Sequence, residues 1–111
     1  MIRDNWNLNN YQRQARETAI YPEESKVVYP ALGLAGEAGE VADKVKKIIR
    51  DGRTGSLYKN EIAKEIGDVL WYCAVLADDL GYTLQQVAEM NIHKLHSRAA
   101  KGKLGGSGDN R

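Results

Sequence analysis

Nine consecutive apolar residues, Val69-Leu70-Trp71-Tyr72-Cys73-Ala74-Val75-Leu76-Ala77, constrain this chain more than any other feature. The run falls far short of the roughly 20 residues that a membrane-spanning helix needs. Wound as a helix it makes about two and a half turns that are apolar nearly all round, and such a helix must be covered on most sides. The whole chain has 111 residues with which to build that cover, enough for one small domain with a modest core. Strand signals are nearly absent. No Asn-Gly or Asp-Gly turn lies between alternating runs, and only Lys26-Val27-Val28-Tyr29 reads as locally extended.

Apolar residues recur at helical spacing in four segments. The first covers about 7–20, with Leu8, Tyr11, Ala15 and Thr18/Ala19 on one face, and ends near Tyr21-Pro22. A connection bracketed by Pro22 and Pro30 leads to the second, about 31–51, whose stripe is Leu34, Ala38, Val41, Val45, Ile48 and Ile49 and whose natural stop is Gly52. The third covers about 58–79 and closes at Gly81. Thr83 and Gln86 fit a capping box that opens the fourth, about 84–101. The expected fold is all-α, an antiparallel four-helix bundle over residues 1–101 with a core completed by a second subunit. Residues 102–111 carry four glycines and no periodicity, and are expected to form a mobile tail.

Sixteen basic residues against fifteen acidic ones leave a formal charge of +1, which gives no bulk attraction to nucleic acid or anionic membrane. One cysteine, Cys73, excludes an intramolecular disulfide and a multi-cysteine zinc site. The opening residues MIRDNWNLNN are too polar for the core of a signal peptide. A soluble protein of a reducing compartment, the cytoplasm, is the expectation.

Against this background the acidic residues are unusual in their placing. Glu37 and Glu40 stand three apart on the second helix, beside the stripe of Leu34, Val41 and Ile48. Glu65 and Asp68 repeat the spacing on the third, with Asp68 directly abutting the apolar run. A single Glu-x-x-Glu is ordinarily a solvated face. Two such pairs, each edging the apolar stripe of consecutive long helices, point to a site. Four partly desolvated carboxylates repel one another unless a cation joins them, and Mg²⁺ favours carboxylates together with water and phosphate oxygens. On the fourth helix the stripe Leu84, Ala88, Leu95 is interrupted by Asn91, with Lys94 and Arg98 on the same side. An amide and two cations suit an anionic, phosphate-bearing ligand, although Lys94 and Arg98 would equally pair with surface acids.

Three stretches together resemble the MazG-like nucleotide pyrophosphohydrolases: Leu32-Gly-Leu-Ala-Gly-Glu37-Ala-Gly-Glu40-Val41, Glu65-Ile-Gly-Asp68-Val-Leu-Trp71-Tyr72 and Asn91-Ile-His-Lys94-Leu95. The family is marked by Glu-x-x-Glu and, after a variable spacer, Glu-x-x-Asp; here 24 residues separate Glu40 from Glu65. The resemblance implies hydrolysis of a nucleoside or deoxynucleoside triphosphate between the α and β phosphates. It implies that Glu37, Glu40, Glu65 and Asp68 hold Mg²⁺ or Mn²⁺ and that Asn91 and Lys94 contact the phosphates, in a homodimer or homotetramer. Any one of the four acids could serve as general base, and Glu37 lies nearest the core. Trp6, Tyr11 and Gln12 could meet the base from the first helix, or Tyr11 could be core packing and Trp6 a loop anchor. The ending Gly106-Ser-Gly-Asp-Asn-Arg111 is similar to the tail of compact, often phage-encoded members, which would put the protein in a host's cytoplasm. On that likeness Asn110 or Arg111 would fold over the triphosphate.

Other chemistries find less support. Gly33, Gly36 and Gly39 are spaced G-x-x-G-x-x-G with no preceding strand and no Gly-Lys-Ser/Thr, so they are no phosphate loop and read as close packing. His93 and His96 lack the Glu-x-x-His of a di-iron bundle. Cys73 within the apolar run reads as a buried, inert thiol. A non-catalytic helical module, either oligomerising or nucleotide-binding, is the competing class.

Overall fold

The computed structural model describes residues 5–52, 56–102 and 105–106. It contains four helices, α1 (Leu8–Glu17), α2 (Val28–Asp51), α3 (Ser56–Asp79) and α4 (Leu84–Ala100), with a 3-10 turn at Glu23–Ser25 and no strand among the described residues. The glycine-rich tail falls largely outside those residues, and Asn110 and Arg111 entirely so.

The helix starts follow from local chemistry. Asn7 caps α1 by accepting from the N–H groups of Asn9 and Asn10, while its own N–H donates to the Asn10 side chain. Thr83 and Gln86 form the expected capping box at α4. The start of α2 differs from the sequence reading. The helix begins at Val28, ahead of Pro30, so of residues 26–29 only Lys26 keeps an extended backbone. Proline is tolerated in a first turn, where its missing N–H would have had no helical partner, so Pro30 lies inside the helix rather than before it. At its far end α2 stops on Gly52, whose φ of 63° is the left-handed conformation that glycine adopts without strain.

The core is small: Ala15, Ala74, Val75 and Leu84 are buried together, ringed by Leu8, Tyr11, Ala19, Tyr21, Trp71, Tyr72 and Cys73. It lies where α1 and α4 meet the C-terminal half of α3. The apolar run is thus covered on one side by α1 and α4 and on another by α2, and α3 touches all three other helices. Helix α2 packs chiefly on α3, and its expected core stripe is only partly covered, with Ala38, Val45 and Ile49 exposed. Helices α2 and α3 therefore form an antiparallel arm extending from the core, and that arm carries the acidic residues.

Candidate metal and nucleotide site

Because α2 enters beside the end of α3, Glu37 on α2 comes to lie against Glu65 and Asp68 on α3. One carboxylate oxygen from each of the three lies within 4.8 Å of the others. Oxygens that share one small divalent cation across its centre are about 4 Å apart, so the cluster is close to the span of an all-oxygen site. Burial pushes the Glu37 carboxyl above its ordinary range, and the charges of Asp68, Glu65 and Glu40 push it the same way. Glu40 stands one turn on, exposed and outside the cluster, although its charge is felt at Glu37. The residues fit a hard cation: the donors are all carboxylate oxygens, and their mutual repulsion is what a cation relieves.

Glu37 and Asp68 also line a cavity of about 320 Å³ whose other walls are Trp71 and Tyr72. The Tyr72 ring lies against the backbone of Gly33, where any side chain would collide with it. Gly36 and Gly39 meet nothing within 4 Å, so close packing within the chain explains one of the three glycines and not the other two. Trp71 is oriented by its indole N–H, which donates to the Thr18 hydroxyl at 2.8 Å. From α1, Tyr11 lies near enough that, after burial, the Asp68 charge raises its phenol pKa, with Cys73 adding to the effect. Trp6 packs edge-on to Tyr11 at 6.2 Å between ring centroids, and its indole N–H is shut off from solvent with no hydrogen-bond partner among the described residues. Cys73 is half-buried, and burial raises its thiol pKa, in keeping with an inert thiol.

The remaining sequence-derived residues are dispersed. Gln12 is buried with its amide bonded to the backbone of Ala74, Tyr82 and Leu84, so that it ties α1 to α3 and α4. Arg98 is 5% exposed, on the same helix as Asn91 and Lys94 but buried where Asn91 is open. Asn91 is exposed instead of core-facing, and with Lys94, Val87 and Met90 it lines a separate groove of about 390 Å³. Another groove, about 490 Å³, runs between α1 and α4 past Leu8, Ile92, His93 and His96. Its one acid among the described residues, Glu89, accepts from Gln85.

A model of the MazG nucleotide pyrophosphohydrolase domain matches residues 30–102. The chain belongs to the MazG nucleotide pyrophosphohydrolase family. The matched segment contains Glu37, Glu40, Glu65, Asp68, Asn91, Lys94 and Arg98 and leaves out Gln12 and Arg111. Gene 37 protein of Mycobacterium phage L5 is 45% identical over 109 residues, covering 91% of this chain and 96% of the phage protein. No solved structure gives a significant match. A MazG domain is all-helical and implies a nucleotide pyrophosphohydrolase, in agreement with the four helices and with the carboxylates gathered between α2 and α3.

Sequence reasoning missed a second polar centre. Asp79, at the end of α3, is bonded to Arg16, Tyr21 and the backbone of Val27. The available signal was Asp78-Asp79 at a helix C-terminus, where acidic side chains oppose the helix dipole and so call for a cationic partner.

Proposed function

We propose that this MazG domain hydrolyses a nucleoside or deoxynucleoside triphosphate between the α and β phosphates, giving the monophosphate and pyrophosphate. The observation that carries the reading is the convergence of Glu37, Glu65 and Asp68 on one point beside an aromatic-walled cavity. These three acids, with Glu40 adjoining, would hold Mg²⁺, for which Mn²⁺ could substitute. The cation would supply charge neutralisation at the phosphates and polarise their oxygens. Glu37, whose carboxyl is raised by burial and by the charges of Asp68, Glu65 and Glu40, is the proposed general base. Trp71 and Tyr72 offer flat apolar surface to a base. Asn91 and Lys94 are proposed to reach the phosphates from a second copy of the chain, because the chain's own α4 presents them in a different groove. Gln12 has no part in this site.

The active species is proposed to be a homodimer or homotetramer acting on free nucleotides in a host's cytoplasm. No helix among the described residues is long and apolar enough to cross a membrane. The test is pyrophosphate release from a panel of canonical and modified NTPs and dNTPs, with and without Mg²⁺. Metal-dependent release by the wild type is expected, with at least about a hundredfold loss in Glu37→Gln and Asp68→Asn while helical content is retained. Orthophosphate as the only product would overturn the assigned bond. A folded wild type without turnover on any substrate would favour the non-catalytic module.

A further inference from the structure

Asp79 ends α3 with a negative charge at the pole where the helix dipole disfavours it, yet its side chain is 0% exposed. It accepts from three segments: the Arg16 guanidinium on α1 at 2.6 Å, the Tyr21 hydroxyl at 2.7 Å and the backbone N–H of Val27 at 2.9 Å. Val27 is the residue from which α2 departs, and no side chain of its own caps that helix. Its φ of 68° and ψ of −54°, together with a 2.8 Å bond from the Val28 N–H to the Lys26 carbonyl, describe a γ-turn. That turn is strained for any residue and more so for a β-branched one, so it persists only where the surroundings enforce it.

From this turn, α2 runs directly to the acids. Tyr29 stacks on Tyr21 at 4.9 Å and leans on Tyr72 at 6.5 Å between ring centroids. One turn further, Gly33 receives the Tyr72 ring, and one turn beyond that lies Glu37. Tyr72 itself comes one turn of α3 after Asp68. The entry of α2 at Val27, its aromatic stack and its share of the acidic cluster therefore follow one another along successive turns of the two helices.

We propose that Asp79 is a positioning residue: by holding Val27 in its strained turn it fixes the register of α2 along α3, and so the spacing of Glu37 from Glu65 and Asp68. This rests on the metal-binding reading of those acids, and Asp79 touches neither the metal position nor the substrate cavity. Were Asp79 only a stabilising partner of Arg16, its loss would lower thermal stability without a specific effect on the acids.

The experiment measures Mn²⁺ affinity by calorimetry, without substrate, and amide hydrogen exchange over residues 28–37, in the full chain and in Asp79→Ala, Val27→Gly and the double variant. Asp79→Ala is expected to weaken Mn²⁺ binding about tenfold or more and to speed exchange through residues 28–37. Val27→Gly alone should leave both near wild type. The double variant should recover most of the affinity, because glycine keeps the turn without needing it enforced. Should Asp79→Ala fail to fold, Asp79→Asn keeps an oxygen for the Val27 N–H while losing the charge, and should retain affinity within about threefold of wild type. Wild-type affinity in Asp79→Ala, or a loss that Val27→Gly does not recover, overturns the proposal. If the wild type binds no Mn²⁺ at all, the metal reading itself falls, while exchange at residues 28–37 still decides whether Asp79 positions α2.

Discussion

Gln12 joins three helices with one amide. Both hydrogens of its Nε2 are donated, to the carbonyls of Ala74 at 3.0 Å and Tyr82 at 3.1 Å, and its Oε1 accepts from the first N–H of α4, Leu84, at 3.0 Å. Removing it strands backbone groups in a buried place. Gln12→Ala is expected to lose about 2–4 kcal/mol, read as a lower urea midpoint, with KM for the best nucleotide within about twofold of wild type. A raised KM at unchanged stability would return Gln12 to the substrate. Asp79 makes a different prediction. Burial opposes its charge, but bonds from the Val27 N–H, the Tyr21 hydroxyl and Arg16 prevail and hold its carboxyl below the ordinary 3.8. A group depressed in the folded state lends stability that is fully present above its unfolded pKa and is lost as pH falls through the folded value. Urea midpoints taken from about pH 5 down to pH 2 should therefore fall less steeply in Asp79→Asn than in wild type. Equal slopes would mean that the carboxylate is not held low.

At the scale of elements, the contact between α2 and α3 turns on Gly33, because Tyr72 occupies the space a β-carbon would need. Gly33→Ala should cost about 1–3 kcal/mol, separate the two helices at the cavity and reduce turnover more than stability, since Tyr72 lines the same cavity as Glu37 and Asp68. Full activity and an unshifted thermal midpoint would contradict the close approach. Spacing could not distinguish Gly33 from Gly36 and Gly39, because only the facing helix supplies the ring that makes the difference. The helices themselves were legible, since periodicity and caps are local: the Thr83–Gln86 box opens α4 where the sequence placed it. The acids were legible as two pairs, each three residues apart at the edge of an apolar stripe, but that Glu37 meets Glu65 and Asp68 was not, because it depends on how α2 packs on α3. Pro30 misled because a proline marks either a boundary or a first turn, and the choice depends on Val27, which is held by a residue 52 positions away. Gln12 and Asp79 were hidden likewise, their bonds crossing 52–72 residues of sequence.

The molecule as a whole exposes more than a chain of its size should. A compact monomer of 12.3 kDa would have about 6,100 Å² of accessible surface, against the 8124 Å² found here. The radius of gyration, 16.7 Å, likewise exceeds the about 13 Å expected of 111 residues. Large apolar side chains lie open among the described residues: on α2, Leu32 and Ile49 are 70% and 77% exposed, and on α4 Met90 is 57% exposed beside Asn91 and Lys94. Apolar residues left open on the arm that carries the acids, and on the groove that carries the amide and the cation, are what two copies would cover by bringing one against the other. Sedimentation should give two or four times the chain mass, and the thermal midpoint should rise with protein concentration, as it must when folding and association are linked. Leu32→Lys with Ile49→Lys should lower the mass toward one chain and reduce turnover without touching any acid. A single-chain mass with a midpoint independent of concentration would instead require α4 of the same chain to move before Lys94 could meet a phosphate held at Glu37.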